Sequence, residues 1–183
     1  NLCSRTGAVT IGVTPGGTAT IASTTNVTCN GANNGILNVS MGGNSVGPFT
    51  YVWTPNVGTG ATVNNLAPGA YAVVVTDSHG CIANTSGNIS EPVVLAVNFT
   101  STNVSCNAGS DGTISSTVTG GTSPYSYLWS PGAFNTGIVS GLPVGVYTLT
   151  VTDAQGCTVT GTRTIVEPTA LTITPTIVEP HCQ

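Results

Sequence analysis

Six cysteines are the residues of this sequence best suited to covalent chemistry, and they recur at matched places. They are Cys3, Cys29, Cys81, Cys106, Cys157 and Cys182. A zinc site needs Cys and His side chains at short, fixed spacings, and the sequence has no such pattern. Regularly placed cysteines without it predict disulfide bonds, which persist in oxidising, extracellular compartments.

The cysteines can pair in three registers. One closes each repeat on itself, as Cys29–Cys81 and Cys106–Cys157, but these positions fall at opposite ends of a conventional sandwich, beyond disulfide reach. The favoured junction register uses every cysteine at separations of 26, 25 and 25 residues: Cys3–Cys29, Cys81–Cys106 and Cys157–Cys182. A third register joins the end of one domain to the start of the next, for example Cys29–Cys157.

The acids and histidines do not form a catalytic pattern. Four of the six acids recur once per repeat: Asp77, Asp153, Glu91 and Glu167. This recurrence predicts structural roles, with Asp forming a turn and Glu-Pro ending a strand. Calcium needs several clustered carboxylates, and Asp111 with Asn107 is the best such pair. His79 and His181 are isolated, so the sequence predicts no enzyme activity, no metal site and no cofactor.

Charge is almost absent from the chain. Only 4% of residues are charged, Arg5 and Arg163 are the sole strong bases, and there is no Lys. Nucleic-acid binding needs several bases on one face, so this composition excludes it. No run of 18 apolar residues is present, so membrane insertion is not expected.

One strand-and-turn motif occurs twice and positions two of the cysteines. Tyr71 to Cys81 and Tyr147 to Cys157 share alternating apolar residues followed by Thr-Asp-x-x-Gly-Cys, and the copies lie 76 residues apart. Alternation of period two predicts a strand buried on one face. The expected turn residues are Asp77, Gly80, Asp153 and Gly156. A Tyr that starts a strand after a Pro-Gly or Pro-Val-Gly turn predicts a tyrosine corner.

Aromatic residues mark an earlier strand of each copy. Tyr51 and Trp53 alternate in the first, and Tyr127 and Trp129 in the second. A Trp on the third strand of a sandwich packs in its core, so the predicted structural core contains Trp53, Tyr71, Trp129 and Tyr147. The alternative interpretation is a sugar-stacking platform made of the Tyr and Trp rings.

No segment has the spacing of an amphipathic helix, and 24 Gly and 11 Pro separate short apolar runs. The predicted fold class is therefore all-β: tandem immunoglobulin-like or PKD-like β-sandwich repeats of about seven strands and a period of about 76 residues. The predicted domains are a repeat tail and linker strand at 1–28, repeats at 29–92 and 93–168, and a linker strand at 169–183.

The combined motif resembles the SprB repeat. Its parts here are Val-x-Cys-Asn, Gly-Gly, Tyr-x-Trp, Leu-x-x-Gly-x-Tyr-x-x-x-Val-Thr-Asp-x-x-Gly-Cys and Glu-Pro. They run through 29–92 and 106–168, and Asn34 stands where the family favours Asp. Such repeats occur in long surface adhesins of gliding Bacteroidetes, which are exported by the type IX secretion system.

The resemblance implies a structural segment of a cell-surface adhesin filament that provides reach and mechanical continuity for attachment and gliding motility. The expected location is extracellular, on a filament attached to the outer membrane. The expected partners are neighbouring repeats, with surface polysaccharide or an abiotic surface as the substratum. The alternatives are a carbohydrate-binding accessory module of a large secreted protein and a self-assembling filament subunit.

Overall fold

The computed structural model describes residues 16–177, and the chain divides into two compact units between Glu91 and Pro92. Every regular element in that range is a β-strand, and each unit has its own hydrophobic core. The all-β prediction is therefore confirmed.

Unit 1 contains six strands in two antiparallel sheets. Its strands are β1 (Thr18–Thr25), β2 (Gly35–Gly42), β3 (Thr50–Thr54), β4 (Thr62–Leu66), β5 (Gly69–Thr76) and β6 (Ile82–Ile89). One sheet has the order β1-β2-β4 and the other β3-β5-β6. These orders correspond to strands A-B-E and C-F-G of an immunoglobulin domain that lacks strand D.

Unit 2 repeats this topology. Its strands are β7 (Ala96–Thr102), β8 (Gly112–Thr119), β9 (Ser126–Ser130), β10 (Ile138–Leu142), β11 (Gly145–Thr152) and β12 (Thr158–Ile165). The sheets have the orders β7-β8-β10 and β9-β11-β12, again antiparallel throughout.

Alternation along the central strands builds each core. In β11, Tyr147, Leu149 and Val151 are buried while the residues between them are half-buried threonines. The opposite sheet supplies Ile114 from β8, and Trp129 of β9 lies between the sheets. Side chains alternate across a strand, so the inner faces of both sheets become apolar and the outer faces keep Thr and Ser.

Two close approaches show how tightly the sheets pack in unit 2. A Cβ added to Gly161 would lie 2.5 Å from Cε2 of Phe99. The Phe99 ring itself packs against Trp129, with ring centroids 5.8 Å apart. Gly161 therefore makes the space that this aromatic pair occupies.

The structure changes the predicted strand assignments in three ways. Each unit has six strands rather than about seven. The strand predicted to belong to a preceding tail within 1–28 is β1, which pairs with β2 over Thr18–Thr25 and completes unit 1. Residues 169–177, predicted to form a linker strand, have no strand structure, and Leu171 and Ile173 are exposed. A strand needs a ladder partner: β7 has one in β8, whereas 169–177 has none among the described residues.

The described residues include no helix long and apolar enough to cross a membrane.

Candidate functional site: the cysteine loops

Each unit carries two loops that hold a cysteine. We call residues 77–81 and 153–157 the Asp turns, and residues 28–34 and 105–111 the opening loops.

The Asp turn of unit 1 fixes the backbone of Cys81. Asp77 Oδ1 accepts hydrogen bonds from the backbone N–H groups of His79 and Cys81 at 2.8 and 2.9 Å. The Asp77 N–H donates to the Cys81 carbonyl at 3.0 Å, and Gly80 adopts a φ of 80°, which favours glycine. The Cys81 N–H is the main cause of a lowered pKa at Asp77, with the His79 N–H adding to it.

The Asp turn of unit 2 has the same geometry. Asp153 Oδ1 accepts from the N–H groups of Gln155 and Cys157, both at 2.9 Å, and Gly156 has a φ of 83°. Asp153 Oδ2 also accepts from the N–H of Thr122 at 2.9 Å. Burial acts to raise the pKa of Asp153, but these backbone donors outweigh it and the pKa is lowered. The predicted turn residues thus form both turns.

The opening loop of unit 1 is tied to the strand that ends the unit. Asn34 Oδ1 accepts from the Thr28 N–H at 3.1 Å, and its amide nitrogen donates to Thr28 Oγ1 at 2.9 Å. Across 60 residues of sequence, Glu91 Oε2 accepts from the Gly31 N–H at 2.8 Å. The loop that carries Cys29 is therefore held beside the end of β6.

The opening loop of unit 2 has matching contacts. Asp111 Oδ1 accepts from the Ser105 N–H at 2.9 Å, and Glu167 Oε2 accepts from the Ala108 N–H at 2.7 Å. The side chain and then the backbone of Ser105 lower the pKa of Asp111. The Asn107 side chain donates to the Pro168 carbonyl instead of joining Asp111, so the pair considered for calcium does not converge.

Sequence reasoning missed the role of the two glutamates. Glu91 and Glu167 were predicted to end strands, and each also clamps the opening loop of its unit. Both are followed by Pro, and that recurring pair was the available signal. The partner amides lie about 60 residues earlier, and no local pattern identifies them.

The two loops of a unit lie at opposite ends of its last strand. The Asp turn of unit 1 leads into β6, whereas the opening loop contacts Ser90 and Glu91 just after β6 ends. A strand of eight residues such as β6 spans about 26 Å at roughly 3.3 Å per residue. The Cα atoms of a disulfide must approach within about 7 Å. This separation excludes Cys29–Cys81, and β12 separates Cys106 from Cys157 in the same way.

The four described cysteines have two different states. Cys29 and Cys157 are disulfide-bonded, whereas Cys81 and Cys106 are free and exposed. The predicted Cys81–Cys106 bond is therefore wrong for this structure. It assumed one hairpin with both sulfurs at its open end, but β6 pairs with β5 and β7 pairs with β8. Cys3 and Cys182 lie outside the described residues, so Cys3–Cys29 and Cys157–Cys182 stay predictions.

The predicted core aromatics are buried. Trp53 is 3% and Trp129 is 1% exposed, and their indole N–H groups donate to the carbonyls of Gly60 and Thr136 at 3.0 and 2.9 Å. A sugar-stacking platform needs exposed ring faces, which neither Trp offers. Tyr51 and Tyr127 are half-buried.

Both tyrosine corners are formed. Tyr71 and Tyr147 are buried, and each hydroxyl donates to the backbone carbonyl four residues earlier, Ala67 at 2.9 Å and Pro143 at 3.0 Å. These bonds pin the entry to β5 and β11, the F-type strands.

Within residues 16–177 no three His, Cys, Asp or Glu side chains gather into a metal-binding group. His79 lies in the Asp turn of unit 1, and His181 lies outside the described range.

These sheets, strand orders and tyrosine corners define tandem immunoglobulin-like β-sandwiches. The SprB repeat model matches residues 21–58 and 98–134, one segment in each unit, and this confirms the resemblance read from the motifs. The chain thus carries two SprB-type repeats, modules of the kind found in cell-surface adhesins. No curated protein matches the chain.

Several solved structures with immunoglobulin domains are similar. The Down Syndrome Cell Adhesion Molecule fragment with eight Ig domains matches at 12% identity and a TM-score of 0.47, over 84% of this chain and 24% of that one. DIP-gamma IG1+IG2 matches at 14% and 0.38, over 80% and 96%. The amphioxus IgVJ-C2 molecule matches at 12% and 0.35, over 74% and 97%. The chain spans only about a quarter of the first.

Proposed function

We propose that this chain is a load-bearing repeat segment of a bacterial cell-surface adhesin filament. It supplies reach and mechanical continuity for surface attachment and gliding, and it has no enzymatic role. The observation that carries the proposal is the pairing of two SprB-type sandwiches, each with its own core, in a nearly uncharged chain.

The position of the polar contacts supports this role. In both units the strongest side-chain hydrogen bonds fasten the two cysteine loops to the ends of strands. They do not converge on a cleft where a small molecule could react. An antiparallel sandwich with fastened ends resists being pulled apart, because load must break ladder hydrogen bonds together.

Single-molecule stretching under reducing conditions tests the proposal. Pulling from both ends should give two separate unfolding events, one for each unit. Each event should release about 240 Å of chain for the residues between the first and last strand, at roughly 3.4 Å per residue. Unfolding at forces that do not exceed those of an unstructured chain contradicts a load-bearing role.

The carbohydrate-binding alternative has one structural foothold. Phe134 is 38% exposed and lines an apolar recess of about 230 Å³ with Pro131, Leu142 and Tyr147. Replacing Phe134 by Ala removes the ring without disturbing a core position. Binding to a glycan array that is lost in Phe134→Ala would favour a carbohydrate-binding module over the structural segment.

A further inference from the structure

The free and the bonded cysteines occupy equivalent positions. Cys81 matches Cys157, each as the last residue of an Asp turn, and Cys106 matches Cys29, each in an opening loop. At each type of position one cysteine is bonded and the other is free. Both types are therefore able to form a disulfide, and a missing partner explains the two free thiols better than an unsuitable position.

The pattern of states discriminates between the registers. The within-repeat register would bond Cys81 and Cys106 to their own units, across the length of a strand. The junction register would bond them to each other. The third register, which joins the opening loop of one repeat to the Asp turn of the following one, involves Cys29 and Cys157 and leaves Cys81 and Cys106 free.

We propose that Cys81 and Cys106 are the covalent attachment points of this segment for further repeats of the same type. Cys106 bonds to the Asp-turn cysteine of a following repeat, and Cys81 bonds to the opening-loop cysteine of a preceding one. This proposal deepens the filament function above and rests on it. The filament would then be cross-linked at each successive repeat.

The surroundings of Cys81 fit a loop from another repeat. Cys81 lines an open recess of about 290 Å³ together with Gly17, Val46, Asp77 and His79. Two N–H bonds to Asp77 Oδ1 hold the turn rigid, and the Ser78 N–H and hydroxyl anchor it to the Val46 carbonyl at 3.0 and 2.9 Å. A recess with a thiol on its wall and no charged base nearby suits a neutral, polar loop such as residues 105–111.

The bond forms by exchange with a small disulfide, the oxidant of this step. One thiolate attacks the small disulfide and releases one thiol, and the thiolate of the other repeat then attacks the mixed disulfide and releases the second. Two cysteine S–H bonds and one S–S bond are lost. One S–S bond between repeats and two S–H bonds on the reduced carrier are gained, so atoms and electrons balance.

A mixing experiment with second copies of the chain tests the proposal. Cys81→Ser leaves Cys106 free, and Cys106→Ser leaves Cys81 free. Equal amounts are incubated with oxidised glutathione, and the dimers are identified by non-reducing peptide mapping. Docking of an opening loop on an Asp turn should make the Cys81–Cys106 heterodimer exceed the homodimers about tenfold, a preference of one decade in equilibrium constant.

Matched variants separate docking from simple thiol reactivity. Asp77→Asn, placed in the Cys81-bearing protein, should reduce the heterodimer excess while Cys81 still reacts with an alkylating agent. Asp153→Asn in the same protein alters the Asp turn that does not carry Cys81, and it should leave the excess unchanged.

Two outcomes overturn the proposal. One is a statistical mixture of heterodimer and homodimers, which indicates random pairing of exposed thiols. The other is a wild-type monomer that loses both thiols to an internal Cys81–Cys106 bond. Neither outcome alters the two unfolding events expected of a load-bearing segment, so failure of the cross-link is distinguishable from failure of the proposed function.

Discussion

Removing the hydroxyl of Tyr147 should weaken unit 2 through a single hydrogen bond. Tyr147 is 4% exposed, and its hydroxyl donates to the Pro143 carbonyl at 3.0 Å. Phe keeps the buried ring, so Tyr147→Phe creates no cavity. The net value of one such bond is about 0.5–1.5 kcal/mol. Pro143 lies on the surface, where water can replace the lost donor, so we expect about 1 kcal/mol in the free energy of unfolding.

The two tryptophans allow the loss to be assigned to one unit. Trp53 lies in the core of unit 1 and Trp129 in that of unit 2. In a Trp53→Phe background, urea unfolding followed by tryptophan fluorescence therefore reports on unit 2. The expected loss corresponds to a lower midpoint in urea and to roughly 4–8 °C in Tm for a domain of this size.

Tyr127 provides the matched control. It lies on β9 and is half-buried, and its hydroxyl makes no hydrogen bond with the described part of the chain. Tyr127→Phe should change the free energy of unfolding by less than about 0.5 kcal/mol, as is usual for surface substitutions. Equal losses from the two variants, or no loss from Tyr147→Phe, would refute the tyrosine-corner reasoning.

Three further predictions follow from the loops and the packing. The lowered pKa values of the three loop aspartates stabilise the folded state above the unfolded pKa of about 3.9; that stability is lost as pH falls through the lower folded pKa, and thermal melts from pH 6 to 2 should show it. Ala108 has a φ of 57° where unit 1 has Gly31 at 74°, so Ala108→Gly should stabilise unit 2 by about 0.5–1 kcal/mol in urea unfolding, and Gly31→Ala should destabilise unit 1. Gly161→Ala forces Phe99 to move and should cost about 1–3 kcal/mol, measured by Trp129 fluorescence; Gly87→Ala, whose added Cβ would be 3.0 Å from Leu37, should cost less.

The local features of this protein could be predicted from its sequence. The Asp turn and the tyrosine corner are closed by bonds that span two to four residues, as from Cys81 to Asp77 and from Tyr147 to Pro143. The residues that make them are neighbours in the motif, so residue type and spacing determine the geometry. Burial of Trp53 and Trp129 follows in the same way from alternation along a strand.

The tertiary structure decided which distant segments meet. The sequence predicts strands at 18–25 and 169–177 equally well, but only the first has a ladder partner, because β2 lies beside it. The clamp from Glu91 to Gly31 spans 60 residues and has no local signature. The state of each cysteine is non-local for the same reason: a disulfide depends on which loops come within about 7 Å, and that distance is set by strand pairing rather than by separation along the chain.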